Sequence, residues 1–352
     1  MPYRRSFFSF GNMLYYYIII CAAEAFCSAV RVKEAIASMS WLFFAVICLL
    51  GWGGADYFYK LGSGTEDRLS HLKLAVWVGL VMGVSALVLL PFTESGFHVK
   101  DLPGAMLAYA PASLSYIVSM VIGYAGLRYL ELSIVSPVQN ASGGFSALCM
   151  LGYFLLSGKI TSVGEALSGV EMVGTGLTVL GVVGLAVAEQ RLSAREAGRE
   201  GKAYRFGARA LLFPLLYCLF DTVGTAADGV ILDSGVGAGF GEIDVLVLYG
   251  LTFFLFGLGA FIYIRLKTGD FYRPFRKGER YRAFAAVAEE FGQIFYVFAM
   301  AKNPVLAAPV VASYCIVSVL LSRLLLKEKL TRGQYACIFP VLIGIVLLGL
   351  VP

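Results

Sequence analysis

Charge is what this sequence has least of. Asp, Glu, Lys and Arg make up 14% of its 352 residues, against roughly 25% in a soluble domain. Hydrophobic residues account for 59% and the mean hydropathy is +0.78, which excludes a soluble globular chain of this length. Histidine is nearly missing: His71 and His98 stand far apart, with no His-acid motif beside either. An integral-membrane enzyme built on clustered histidines and carboxylates is therefore disfavoured, and we expect no catalytic residues, no metal and no cofactor. The seven cysteines are scattered through apolar segments without a CxxC pair, so they read as small core residues and neither a disulfide frame nor a metal site. No Walker loop occurs, so the chain does not hydrolyse ATP itself. The net charge of +5 calls for no nucleic-acid partner, because the basic residues fall in short loops as membrane topology requires.

What the chain has in quantity is long apolar runs. Ten segments approach the ~20 residues that span a bilayer: about 41–60, 74–93, 105–127, 132–156, 168–188, 208–232, 244–265, 282–301, 304–325 and 334–351. Forty glycines suit closely packed membrane helices. The longest connections, 189–209 and 265–282, are too short for a separate soluble domain. The expectation is an all-α protein of the cell (plasma) membrane, multi-pass, with the lipid bilayer as its surroundings. Residues 1–38 form an N-terminal extension that reads as a signal-like segment, an extra helix interrupted by Glu24, or a stretch upstream of a start at Met39.

Of the 28 basic residues, 21 lie in loops after odd-numbered spans. The positive-inside rule makes those loops cytoplasmic and starts and ends the ten-span core outside. The second half also repeats the first. An offset of 172 carries Ala55-Asp56 onto Ala227-Asp228, Tyr124 onto Tyr296 and Pro137-Val138 onto Pro309-Val310. Five spans per repeat is an odd number, so the halves insert in opposite orientations, a common construction in transporters that bind substrate near the midplane. The predicted architecture is a ten-transmembrane-helix bundle of two inverted five-helix repeats, 39–190 and 208–352, joined by a basic loop at 191–207.

The polar residues inside these spans are the candidate site. Asp56 lies in LLGWGGADYFYK after Trp52, and an ionisable group at that depth costs at least ~2.5–3.5 kcal/mol unless it gains a partner, a water-filled cavity or a proton. Gly53 and Gly54 permit close approach by a neighbouring helix or a ligand, and Tyr57, Phe58, Tyr59 and Lys60 read as a helix end at the headgroups. Span six carries Asp221 and Asp228 on one helical face. Asp56 and Asp228 are expected near opposite membrane faces, shaping two ends of a pathway. Span eight carries Glu289 and Glu290, followed by Gln293. Adjacent residues point ~100° apart on a helix, so at most one glutamate faces a cavity squarely. A buried glutamate without a basic partner can serve proton coupling. Span four opens with Pro137, Gln139 and Asn140, whose amides can both donate to and accept from a polar solute. Trp52, Tyr116 and Tyr296 are candidate aromatic walls. For each of these residues, packing or interhelical hydrogen bonding is the competing reading.

With WGGADYFYK in span one, SPVQNASGG opening span four and LLLKEKLT closing span nine, the chain resembles the drug/metabolite transporter (DMT) superfamily, EamA type, over about residues 40–351. The resemblance implies a ten-helix bundle with a central cavity and transport of a small metabolite or drug. It also implies structural roles for Pro137 and Pro309 and cytoplasmic termini, the reverse of the charge count. The turn Ser157-Gly158-Lys159-Ile160-Thr161 lacks the Glu that its counterpart has at Glu328. The functional expectation is a secondary transporter or exporter that moves a small-molecule solute by alternating access. The alternative is a lipid-handling or structural membrane protein.

Overall fold

The computed structural model describes residues 40–63, 67–98, 100–126, 139–200, 212–233, 239–326 and 331–349. Contacts divide the chain into 1–40 and 41–352. The expected N-terminal extension (1–38), Pro137 and the 327–330 part of the charged turn lie outside the described residues.

Every regular element among the described residues is helical. α1 (Trp41–Gly62), α2 (Ser70–Leu89), α3 (Leu102–Gly126), α4 (Ser142–Leu156) and α5 (Gly169–Glu200) precede α6 (Leu212–Leu232), α7 (Glu242–Thr268), α8 (Arg280–Lys302), α9 (Pro304–Ala312), α10 (Cys315–Leu326) and α11 (Arg332–Gly349). Seven helical stretches are long and apolar enough to cross a membrane, and three shorter apolar ones accompany them. The chain is a multi-pass membrane protein. Its outward faces carry large apolar side chains such as Leu107 (76% exposed), Leu180 (71%) and Phe339 (66%), as suits a surface in contact with lipid tails. Cys48, Cys218 and Cys315 are buried as expected, whereas Cys149 is exposed.

Local signals set the ends. Asn303 closes α8 and caps α9, its Oδ1 accepting from Leu306 N–H at 3.1 Å, with Pro304 at the first helical position. Asp244 in the first turn of α7 accepts from Gly241 N–H at 3.0 Å and from Ser95 Oγ at 2.5 Å. Gly269 ends the same helix in the left-handed region at φ 78°, a conformation that glycine takes without strain.

Two spans depart from the expected single helices. Span nine is broken between α9 and α10, where Ser313 and Tyr314 donate to Val310 and Val311 carbonyls at 3.1 and 3.0 Å. These i→i−3 bonds tighten the turn and interrupt the regular ladder. Span four has the same interruption at Ala141: Gly144 N–H donates to Ala141 O at 3.2 Å, and Ile316 N–H donates to Ser313 O at 3.0 Å. Span five runs further than expected, so positions 191–200 of the expected basic loop are helical in α5.

The helices pair as α1 on α8, α2 on α7, α3 on α6, α4 on α9 and α5 on α11. The α2–α7 crossing is close enough to exclude a methyl group. A Cβ on Gly79 would lie 2.6 Å from Phe253 O and 3.1 Å from Gly257 Cα, and one on Gly250 would lie 2.6 Å from Met82 O. At one end of the bundle Arg282 gathers the chain: it donates to Gly62 O at 3.0 Å, to Glu279 at 2.5 Å and to Asp67 at 3.0 Å. Lys73 also holds Asp67, at 2.7 Å. Burial pushes the Asp67 carboxyl upward, but the Lys73 bond and charge, the Leu69 N–H and Arg282 outweigh it and hold it below its ordinary range.

Candidate functional site

Four helical faces turn polar toward the middle of the bundle, and each is a stripe at helical spacing. Trp52, Asp56 and Tyr59 come from α1, and Tyr116, Met120, Gly123 and Tyr124 from α3. Tyr217, Asp221 and Thr225 come from α6, and Glu289, Gln293 and Tyr296 from α8. The interrupted spans supply Gln139, Asn140, Ser142 and Gly143 on one side and Ala308, Val311, Ala312 and Tyr314 on the other, while α7 adds Tyr249. Together they line a cavity of about 810 Å³, its opening included, of which about 70 Å³ can take the centre of a water-sized molecule. A cavity needs only ~10–15 Å³ of such space to hold a water, so this one admits water.

Each carboxyl in the wall is held by a hydroxyl from another helix. Ser318 Oγ donates to Asp56 at 2.9 Å, Ser142 Oγ to Asp221 at 2.6 Å and Tyr59 OH to Glu289 at 3.3 Å. Tyr124 OH donates in turn to Tyr59 OH at 3.0 Å. Trp52 Nε1 donates to the Glu289 carbonyl at 3.2 Å, and its ring stacks on Tyr296 with centroids 5.1 Å apart. Gly292 makes that position available, since a Cβ there would lie 2.3 Å from the indole. No Lys, Arg or His stands among the described lining residues. Nor are the three carboxyls placed as a metal-ligand cluster: among the described residues no group of three or more His, Cys, Asp or Glu is.

The residues chosen from sequence divide in two. Trp52, Asp56, Gln139, Asn140, Asp221, Gln293 and Glu289 meet at this cavity, as do the aromatic candidates Tyr116 and Tyr296. Asp228 and Glu290 do not. Asp228 is fully buried about two turns beyond Asp221 on α6 and accepts from Tyr109 OH at 2.6 Å. Tyr116 and Tyr296, joined by a short hydroxyl–hydroxyl bond, belong to the cavity wall. Glu290 is turned away from the cavity as the 100° step requires, toward Ser85 of α2. Pro309 is buried inside α9. Tyr59 was expected at the headgroups, but it is only 4% exposed, because it lies three residues after Asp56 and so shares that residue's inward face.

Sequence reasoning missed Tyr59, Tyr124, Tyr217, Tyr249 and Tyr314 as wall residues. The i, i+4, i+7 spacing of Trp52, Asp56 and Tyr59 was the available signal for the first of them.

No protein-family model matches the chain, and no curated protein sequence matches it. A solved crystal structure is similar over 88% of this chain and 96% of its own, with a TM-score of 0.55 and 14% sequence identity. That likeness is one of fold.

Proposed function

We propose that the chain is a secondary transporter of the drug/metabolite type, in which two inverted five-helix halves give alternating access to the cavity for a small organic solute. One observation carries the reading: Asp56, Asp221 and Glu289, placed within membrane-length helices from both halves, face one polar cavity. Each such group is costly in a bilayer, and a purely structural bundle has no use for three around a space that water can fill.

The helix pairing supports the two halves. Matching α1 with α6, α2 with α7, α3 with α8, α4 with α9–α10 and α5 with α11 turns the α1–α8 contact into α6–α3 and leaves the α2–α7, α4–α9 and α5–α11 contacts unchanged. A pseudo-twofold axis in the membrane plane produces that pattern. The paired interruptions at Ala141 and Ser313, 172 positions apart, support it too, with the same i→i−3 bond in each. Interrupted helices at the centre of such folds are where transporters hold their substrates.

In this reading Glu289 carries the proton if transport is proton-coupled, and the driving force is a gradient in the plasma membrane. The chain does no covalent chemistry. A thermal-shift screen of purified protein against metabolites and drugs tests the proposal. A ligand at 100 times its Kd stabilises the bound fold by ~2.7 kcal/mol, a readable shift. A shift from one chemical class, lost in Asp221→Asn or Glu289→Gln, supports transport. No shift from any class, with both variants behaving as the parent, brings lipid handling to the front.

A further inference from the structure

The wall of the cavity restricts the charge of what it holds. Among the described residues its ionisable groups are carboxyls and phenols, and each of these is either neutral or negative. None of these described groups can carry positive charge, so an anionic solute would find no partner among them and would meet the penalty for an unpaired buried charge. A cation would find carboxyls at Asp56, Asp221 and Glu289. It would also meet aromatic faces: Trp52 stacks on Tyr296 and stands edge-on to Tyr314 at 5.8 Å, and indole is the strongest of the aromatic partners for ammonium groups.

Two further groups are left over. Gln139 and Gln293 are 5% and 3% exposed and line the cavity, and the Nε2 of each is buried with no hydrogen-bond partner. A Cβ on Gly123, itself on the wall, would lie 3.1 Å from Gln139 Nε2. Buried amide donors are rarely left unpaired, since each costs free energy until an acceptor arrives. The occupant therefore carries an acceptor as well as a charge.

We propose that this cavity takes a small organic ammonium ion bearing a hydroxyl, ether or carbonyl oxygen, with the cation held at the carboxyls and aromatic faces and the oxygen held by Gln139 and Gln293. This rests on the transporter reading and names its solute class.

Choline, ethanolamine, tetramethylammonium, 3,3-dimethylbutan-1-ol and acetate are the probes. The readouts are Trp52 fluorescence, with Trp52→Phe as the control for signal origin, and the thermal shift, which does not depend on Trp52. Choline or ethanolamine is expected to bind. The uncharged isostere 3,3-dimethylbutan-1-ol is expected to bind about 30-fold more weakly than choline, the loss of a desolvated cation–aromatic contact. Tetramethylammonium, which lacks the oxygen, is expected to bind roughly ten-fold more weakly than choline. Gln293→Leu and, independently, Gln139→Leu should erase the difference between choline and tetramethylammonium while leaving tetramethylammonium affinity within about two-fold. Binding of acetate or of the neutral alcohol as tightly as choline overturns the ammonium assignment and leaves the transporter reading standing. Unchanged discrimination in both Gln variants overturns the placement of the oxygen. If no probe binds and no solute of any class shifts the melt, the transporter reading itself fails and takes this inference with it.

Discussion

Replacing Gly79 by Ala adds one methyl group to α2, and the structure fixes what that methyl meets. It would stand 2.6 Å from the carbonyl oxygen of Phe253 and 3.1 Å from Gly257 Cα, both backbone atoms of α7 that no rotamer change can move. The two helices must separate along much of their crossing, a form of overpacking that costs ~1–3 kcal/mol. Against this, alanine in place of glycine in a helix gains ~0.5–1 kcal/mol. The expected net loss is ~1 kcal/mol, from a span of about 0–2.5 kcal/mol. Gly259→Ala on α7 is the control, because a Cβ there meets nothing within 4 Å, so only the helix gain applies. Equilibrium unfolding in mixed detergent micelles, or the melt of the purified protein, should place Gly79→Ala clearly below the parent and Gly259→Ala at or slightly above it. Gly250→Ala approaches the same crossing from the other helix, 2.6 Å from Met82 O, and should behave like Gly79→Ala. If Gly79→Ala and Gly259→Ala unfold together, α2 and α7 do not meet as described.

Other residues yield shorter tests. Tyr109→Phe removes the hydroxyl that Asp228 accepts from and should cost ~0.6–1.7 kcal/mol, the range for hydrogen bonds between membrane helices; Asp228→Asn keeps an acceptor there and should cost less in the same melt. Glu289→Gln should abolish the pH dependence of solute flux in proteoliposomes, while Glu290→Gln should keep it, because only Glu289 faces the cavity; equal loss in both would contradict that division. The Asp67 carboxyl is held below its ordinary value in the folded protein, so its stabilising effect is complete above the unfolded value near ~4 and is lost as pH falls through the lower, folded one. Melts between pH 5 and pH 3 should therefore fall more steeply for the parent than for Asp67→Asn, and parallel curves would show that the Lys73 and Arg282 contacts carry no such linkage.

Much of the site was legible because membrane depth makes polar residues conspicuous. Asp56, Asp221, Glu289 and Gln293 stand out in apolar runs, and helical spacing put Asp221 and Asp228 on one face while leaving open which of Glu289 and Glu290 turns to the cavity. The same spacing misled at Asp228. It shares the face of Asp221, but seven residues is about 10 Å along a helix, enough to carry it past the cavity into packing against Tyr109. Tyr59 was misjudged because aromatic residues next to a lysine read as a headgroup belt, and its inward turn depends on which face α8 covers. The interruptions at Ala141 and Ser313 were not legible in sequence, since they differ from regular helix only in which carbonyl each N–H reaches. The unpaired amides of Gln139 and Gln293 could not be read at all, because satisfaction of a donor is a property of the packed structure.

Solute counterflow in proteoliposomes tests the central claim most directly. Vesicles containing the purified protein, preloaded with one unlabelled solute and diluted into the same solute in labelled form, should accumulate label transiently for members of one chemical class. Accumulation should disappear in Asp221→Asn protein that melts like the parent. If no class of cationic, neutral or anionic solute accumulates above protein-free vesicles, the cavity is not a transport site and the carboxyls around it serve the bundle alone.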